Sequence, residues 1–458
     1  MPHLLIIGGS DAGISAALRA RELDSSVDIT VVVADAFPNY SICGLPFLFS
    51  GEVTDWRQLA HRTAEEITRE GIRLLLNHMA QSIDPVQKTV QVVDQAGEIQ
   101  QLQYDRLVIA TGAIPIRPKI EGADLPGVYL LRTMADSFAL ERHLATRKPL
   151  SAVIIGGGYI GLEMADALTL RGLAVTVLDR SKSILKTVDA SFGWIVSAEL
   201  QRHRVEVVPG VWVEKIEFDG KHLRVIGSPA LQELTDLVLI ATGVQPSVEL
   251  AQTAGLKTGS GGAIQVNRKM ETNVPGIYAA GDCVETYHRL LPQPTYSPLG
   301  TTAHKQGQIA GANAVGHAQE FAGTSGTQVL KVFDLAIART GLLEHEAIEA
   351  GFQPVTVETE AWDHKAYYPG AHKLRIRVTG DRRNGRLLGA QIIGHYQAEV
   401  AKRIDIFATA LFHQMTIEDI SDLDLSYTPP LGSPWDAVQI ASQSWVKQFS
   451  KQEVLRHP

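Results

Sequence analysis

Two cysteines occur in the 458 residues, Cys43 and Cys283. A thiolate attacks disulfides and persulfides, and what decides between a reactive and an inert cysteine is its surroundings. Cys43 lies in Asn39-Tyr40-Ser41-Ile42-Cys43-Gly44-Leu45-Pro46, at the start of a predicted helix. A helix N-terminus lowers a thiol pKa and favours the thiolate. The alternative is an inert buried cysteine, the commoner fate of a free thiol. Cys283 directly follows Asp282 after an apolar run and reads as a packing residue. Two cysteines are too few for a disulfide scaffold. None of the fifteen histidines forms a credible cluster with them, so no metal site is expected.

The elements around Cys43 repeat. Residues 4–7 form an apolar run ending in Gly8-Gly9-Ser10-Asp11-Ala12-Gly13, followed by a helical stretch, 14–23, and a second apolar run, 29–33. The same order returns with 153–155, Gly156-Gly157-Gly158-Tyr159-Ile160-Gly161, a helix over 162–171 and a strand over 174–178. Each copy reads as a βαβ unit of a buried parallel sheet. Each is trailed by a strand running into Ala-Thr-Gly, at Ala110-Thr111-Gly112 and at Ala241-Thr242-Gly243. In such turns glycines allow the tight bend, the approach of a pyrophosphate to backbone N–H groups, and close helix–strand packing. The second copy is complete and ends at Asp179, suited to ribose hydroxyls. Arg180 and Lys182 suit a 2′-phosphate instead, so NADH and NADPH both stay open, leaning to NADH. The first copy has Ser10 in place of the middle glycine, and Asp35 stands two residues beyond Val33, where an acid is usual. A third run, 272–282, ends in Gly281-Asp282, where a carboxylate can hold ribityl or ribose hydroxyls; alternatively Asp282 is a helix cap.

These motifs resemble the flavoprotein pyridine nucleotide-disulfide oxidoreductases over essentially the whole chain. The branch most similar has a single active-site cysteine: CoA-disulfide reductases, NADH oxidases and peroxidases, and CoA-persulfide reductases. The resemblance implies an α/β protein with two Rossmann-like dinucleotide-binding domains, one for FAD and one for NAD(P), plus a C-terminal α+β dimerisation domain. The corresponding segments are 1–115 and 246–325 for FAD, 116–245 for NAD(P) and 326–458 for dimerisation. It implies a homodimer with an active site shared between subunits, and FAD with NADH or NADPH as cofactors. Cofactor contacts carry over to Gly8, Ser10, Ala12, Gly13, Asp35, Ala80, Thr111, Gly112, Asp282 and Thr301, and to Gly156, Gly158, Tyr159, Ile160, Gly161, Glu163, Asp179, Arg180 and Gly243. Tyr159 is expected to cover the nicotinamide side of the flavin. Substrate contacts carry over to Ser15, Arg19 and Asn39.

In this family Cys43 lies against the flavin. Two-cysteine members have a partner five residues earlier, which here is Pro38, so Cys43 works through a mixed disulfide, a sulfenic acid or a persulfide. Ala366-Tyr367-Tyr368-Pro369-Gly370 and Ser426-Tyr427-Thr428-Pro429-Pro430 resemble the CoA-disulfide reductase pattern, in which Tyr367 and Tyr427 reach over the neighbouring subunit's cysteine. A phenol there can protonate a departing thiolate; otherwise these tyrosines are interface aromatics. Two departures stand out. Ser10 replaces the histidine of the peroxidases, and Glu22 and Ile42 replace a basic residue and an asparagine of the CoA site, although Arg19 and Arg21 remain.

The reading is an FAD-dependent NAD(P)H oxidoreductase that reduces a small-molecule disulfide or persulfide at Cys43. The alternatives are an NADH oxidase cycling a sulfenic acid and a non-enzymatic redox-sensing flavoprotein. A net charge of -8 argues against a general nucleic-acid binder. No apolar run reaches a membrane-spanning length, and the N-terminus does not read as a signal peptide, so a cytoplasmic protein without a membrane partner is expected.

Overall fold

The computed structural model describes residues 2–454. Its first sheet holds five parallel strands in the order Ile277–Ala279, Arg106–Ile109, His3–Ile7, Asp28–Val32, Arg73–Leu75. Parallel strands are covered on both faces, which is why they read as unbroken apolar runs; Leu4, Leu5, Ile6 and Ile7 are all buried. A second five-stranded parallel sheet runs Glu206–Pro209, Ala174–Asp179, Ser151–Ile155, Leu237–Ile240, Val128–Tyr129. The chain leaves the first sheet after Ile109 and re-enters it at Ile277, so the second sheet is built from an intervening stretch. The two crossings pair with each other, Ala113–Pro115 antiparallel to Val244–Pro246.

Both phosphate-type helices start earlier than the apolar spacing predicts. They span Asp11–Leu23 and Tyr159–Leu170, so Gly13 and Gly161 lie in the first helical turn. A side chain at Gly13 would strike the carbonyl of Gly8, and one at Gly161 that of Gly156. The last glycine of each motif is therefore a packing requirement between helix and strand end. The helix Asp11–Leu23 also lies against Gly300–Ala314, where Gly307 and Gly311 meet the carbonyls of Ala12 and Ala16.

The C-terminal third forms an antiparallel sheet ordered Gln328–Val332, Leu335–Gly341, Leu387–His395, Lys373–Asp381, Pro354–Trp362. Helices Val400–Phe412 and Ala437–Val454 supply Phe407 and Trp445 to its core, and the Trp445 indole N–H donates to the Val355 carbonyl at 2.8 Å. The stretch 317–327, read as a linker, forms no helix or strand but is anchored. Phe321 is buried and its N–H donates to the Arg268 carbonyl at 2.7 Å.

The short helix Leu45–Ser50 decides where Cys43 sits. Leu45 and Phe49 are fully buried, and they join the core of the second sheet with Leu162 and Leu168. The Cys43 segment thus follows the first βαβ unit in sequence but is clamped onto the second. No helix among the described residues is long and apolar enough to cross a membrane.

Candidate active site

The two glycine turns differ in what their glycines do. Gly8 and Gly156 have φ of 115° and 118°, and a side chain at either would run into the carbonyl of Ala110 or Ala241. Gly158 is different: it is exposed, its φ is ordinary, and nothing lies within 4 Å of the position a Cβ would take. Nothing inside the chain requires glycine there, so the open space before the helix N-terminus suits a group arriving from outside, as a pyrophosphate does. Ser10 occupies the matching position in the first turn as an exposed N-cap whose side chain caps nothing. Ala12 is buried behind it, and Asp11 Oδ1 is buried with no hydrogen-bond partner. Both turns fit dinucleotides.

Asp179 accepts hydrogen bonds on both oxygens, from the Gly157 N–H at 2.7 Å and the Ser181 N–H at 2.7 Å. It thereby braces the turn. Arg180 is exposed and stands over the Trp212 ring at 5.8 Å. Asp35 accepts the Phe37 N–H at 2.8 Å. Thr111 donates to the Ser247 carbonyl at 2.7 Å, and Gly112 and Gly243 hold left-handed φ values of 69° and 113°. Ile160 and Thr301 are exposed in the first turns of their helices, and Ala80 is half-buried on the strand Met79–Asp84.

Asp282 follows the strand Ile277–Ala279, and burial, with Asp11 adding to it, pushes its pKa up to about 6. Arg132 opposes the shift, and its own pKa is lowered by burial. Glu163 is pushed up to about 7, first by burial and then by Asp166. Tyr159, at the start of the same helix, is also shifted upward by burial.

Cys43 is exposed, and it lies in the 3-10 turn Ile42–Gly44, which leads directly into the helix Leu45–Ser50. Here the structure corrects the sequence expectation of a lowered pKa. The following helix has six residues, too short for a useful dipole, whereas burial and the carboxylates of Glu163, Asp11 and Asp282 push the thiol up. The sulfur reaches the surface, but the protein packed around its other sides outweighs that exposure. Cys283 is fully buried, its S–H directed at the Ala280 carbonyl at 3.3 Å.

Ser15 hydrogen-bonds His304 Nδ1 at 2.9 Å, and His304 Nε2 lies 3.5 Å from Asp11. Arg19 is engaged by Glu22 at 2.7 Å. Asn39 is buried with a left-handed φ of 56°, and its backbone ties to the Gly9 carbonyl and the His61 N–H. It is placed as a brace of the first turn. Tyr367, Tyr368 and Tyr427 lie exposed in the C-terminal third. Their two loops meet: the Lys365 N–H donates to the Pro429 carbonyl, and Lys365 Nζ stands 6.0 Å from the Tyr427 ring.

Sequence reasoning missed Asp11, Arg132, Asp166, His304 and Lys331. Asp11 had a local signal, an acid in the first turn of a phosphate-type helix; the others reach the site through tertiary packing. It also missed one group with metal-ligand spacing, Glu199, His203 and Asp334, whose donor atoms lie within 4.8 Å of one another. Arg202 pairs with both acids there, at 3.2 and 3.0 Å, so a guanidinium already supplies the positive charge.

Two dinucleotide-type turns, a lone surface cysteine between their sheets and a C-terminal antiparallel module are the arrangement of an oxidoreductase with two dinucleotide-binding domains. The pyridine nucleotide-disulphide oxidoreductase model matches residues 2–307, and the dimerisation domain of that family matches residues 327–437; the chain belongs to this family. It is 36% identical over 450 residues to the NAD(P)H sulfur oxidoreductase (CoA-dependent) of Pyrococcus furiosus, covering 96% of this chain and 98% of that protein. It is 33% identical over 448 residues to the NADH oxidase of Methanocaldococcus jannaschii, covering 97% and 99%. Among solved structures, the NAD-dependent persulfide reductase from A. fulgidus superposes with a TM-score of 0.94 at 36% identity, over 98% of this chain and 84% of that one. The protein is therefore an NAD(P)H-dependent flavoprotein enzyme using FAD.

Proposed function

We propose that the protein reduces a small-molecule disulfide or persulfide through Cys43, with NADH favoured over NADPH. The observation that carries this is the exposed Cys43 beside Glu163, Asp11 and Asp282, with the only other cysteine buried. FAD, when bound, passes the electrons of the nicotinamide on to sulfur. Gly8, Ser10 and Gly13 would hold its pyrophosphate, and Asp282 its hydroxyls; Gly156, Gly158 and Gly161 would hold that of the coenzyme, with Asp179 on its ribose. With no internal partner cysteine, Cys43 attacks an external sulfur: the S–S bond of the substrate breaks, one sulfur stays on Cys43, and the other leaves as a thiolate. The two-electron reduction then frees Cys43.

The family dimerisation domain supports a homodimer, in which Tyr367 or Tyr427 of one subunit protonates the thiolate leaving the partner subunit's Cys43. The crossing pair Ala113–Pro115 and Val244–Pro246 supports domain limits near 115 and 245. The Methanocaldococcus relative favours a second reading, oxygen reduction through a Cys43 sulfenic acid.

Anaerobic reduction by NADH or NADPH, followed by reoxidation with CoA disulfide, glutathione disulfide, persulfides or oxygen, separates the readings. Sustained turnover with a sulfur substrate, lost in Cys43→Ser by about a hundredfold or more, is expected. Undiminished turnover in that variant overturns the proposal, and a long-lived reduced form with no turnover indicates a sensor.

A further inference from the structure

Glu163 faces a cavity of about 10 Å³, also lined by Asp166 on the same helix, by Ser50 and Glu52 at the end of Leu45–Ser50, and by Lys331 on the strand Gln328–Val332. That is about the room one water molecule needs, and the walls offer it several polar partners. Asp166 is 6% exposed. Its Oδ2 accepts the Phe333 N–H at 2.8 Å and lies 3.5 Å from Lys331 Nζ, whereas its Oδ1 is buried with no partner. A buried carboxylate oxygen left unpaired is costly, and because Asp166 is among the residues lining the cavity, a donor held there would relieve that cost. Lys331 Nζ is also 3.6 Å from Glu52, whose side chain is 48% exposed. A polar line thus runs from solvent at Glu52, through Lys331 and Asp166, to Glu163. Glu163 in turn is the charged group that acts most strongly on Cys43.

We propose that a water held in this cavity connects Glu163 to solvent through Asp166, Lys331 and Glu52, and that this line supplies the proton that sulfur reduction at Cys43 consumes. The proposal rests on the sulfur-reduction reading. A hydride equivalent and one proton convert one S–S bond into two thiols, so each turnover draws one proton from solvent. In the proposed step the O–H bond of protonated Glu163 breaks and an S–H bond forms on the thiolate released when the mixed disulfide at Cys43 is reduced, while the proton carried with the hydride equivalent restores the tyrosine that protonated the first leaving thiolate. A new O–H bond forms from the cavity water, and solvent at the Glu52 end replaces that proton. No electrons move along the line. The protonation of Glu163 close to neutrality supports this, because a proton carrier works best near the operating pH. Asp166 and Lys331 are positioning residues: Asp166 disfavours the Glu163 carboxylate and Lys331 favours it. Other charged or titratable groups facing these elements include Asp11 and Asp282 on the Cys43 side, Arg339 beside Tyr159, and Tyr396, whose ring centre lies 6.0 Å from Lys331 Nζ.

The test is the pH dependence of Cys43 alkylation by iodoacetamide in the flavin-loaded enzyme without pyridine nucleotide. Ionisation of Glu163 hinders thiolate formation, so the wild-type profile should show a shoulder near pH 7. Asp166→Asn should move it to lower pH and Lys331→Met to higher pH, each by roughly one unit. Lys331→Arg should leave it in place, and Glu163→Gln should abolish it. Glu52→Gln should leave the shoulder unmoved while turnover falls several-fold and becomes more sensitive to D₂O. A shoulder that stays put in Asp166→Asn, or Glu52→Gln turnover with unaltered D₂O sensitivity, overturns the relay. If Lys331→Met loses its flavin, Asp166→Asn and Lys331→Arg decide the outcome. Shoulders that shift as stated in an enzyme indifferent to Cys43→Ser would sink the sulfur-reduction reading and leave the Glu163 coupling standing.

Discussion

Arg19 and Glu22 lie one turn apart on the helix Asp11–Leu23, and Arg19 Nη1 meets Glu22 Oε2 at 2.7 Å. Arg21 is likewise committed, donating to the carbonyls of Ser25 at 2.7 Å and Gly71 at 2.9 Å. Both arginines that the family pattern offers to a CoA phosphate are thus engaged within the chain. Asp11, Ser15, Arg19 and Glu22 share one helix face, so a substrate lying along it from the Cys43 end meets a carboxylate at the far end.

A substrate without phosphates should therefore be preferred over CoA disulfide. Glu22→Gln should raise kcat/KM for CoA disulfide by about three- to tenfold at low ionic strength and leave that for glutathione disulfide nearly unchanged. Loss of this exposed pair costs less than about 1 kcal/mol, so stability should not confuse the comparison. Equal effects on both substrates would place the substrate elsewhere.

The Asp282 carboxyl, pushed up to about 6 mainly by burial, couples its protonation to stability. An acid whose pKa is raised by folding holds its proton better in the folded chain, so ionisation destabilises that chain. The cost is absent below the unfolded pKa, grows as pH rises toward 6, and is complete above it. In flavin-free protein Asp282→Asn should therefore melt at a higher temperature than wild type at pH 8, by an equivalent of no more than about 3 kcal/mol, and the gap should close near pH 4. Scanning fluorimetry across that range checks the sign; a gap that widens toward acid pH would contradict it. The same substitution should weaken FAD binding, read by flavin release on dilution.

The glycine turns were legible in part: Gly13 and Gly161 answer clashes with Gly8 and Gly156 a few residues away and Gly158 faces open space, whereas Gly8 and Gly156 are required by the distant carbonyls of Ala110 and Ala241. The sheets were legible because parallel strands are apolar throughout. The electrostatics of Cys43 were not. Local reasoning placed a helix N-terminus beside the thiol, but burial, and then Glu163, Asp11 and Asp282 brought in by tertiary packing, push the thiol up instead. Arg132 and Lys331 carry no motif at all: each is an unremarkable cation in sequence, brought beside a carboxylate only by the packing of separate sheets.

In the proposed reading coenzyme choice turns on Asp179, whose two oxygens take the N–H groups of Gly157 and Ser181. Its fixed negative charge opposes a 2′-phosphate, while Arg180 is held over Trp212. Asp179→Asn keeps one acceptor oxygen and removes the charge. It should lower the ratio of kcat/KM for NADH to that for NADPH by about tenfold, mainly through KM for NADPH. Stopped-flow reduction of the flavin measures this directly, and an unchanged ratio would place coenzyme discrimination at another residue.

Tyr367 and Tyr427 sit on loops joined by the Lys365 N–H and the Pro429 carbonyl, and both rings are largely open to solvent within one chain, at 73% and 44% exposure. If each serves the partner subunit's cysteine, every active site draws Cys43 from one chain and the tyrosines from the other. A dimer of Cys43→Ser with the double variant Tyr367→Phe/Tyr427→Phe then contains one site lacking both functions and one site with neither defect. Each homodimer alone should be impaired, the cysteine variant by about a hundredfold and the tyrosine variant by about tenfold or more, the usual worth of general acid help. Random reassortment by unfolding and refolding of an equal mixture puts half of the dimers in the mixed form, so about a quarter of wild-type sites should recover. Recovery at that level, absent when the proteins are mixed without reassortment, establishes a shared site. No gain above the average of the two homodimers would confine the tyrosines to structural contacts.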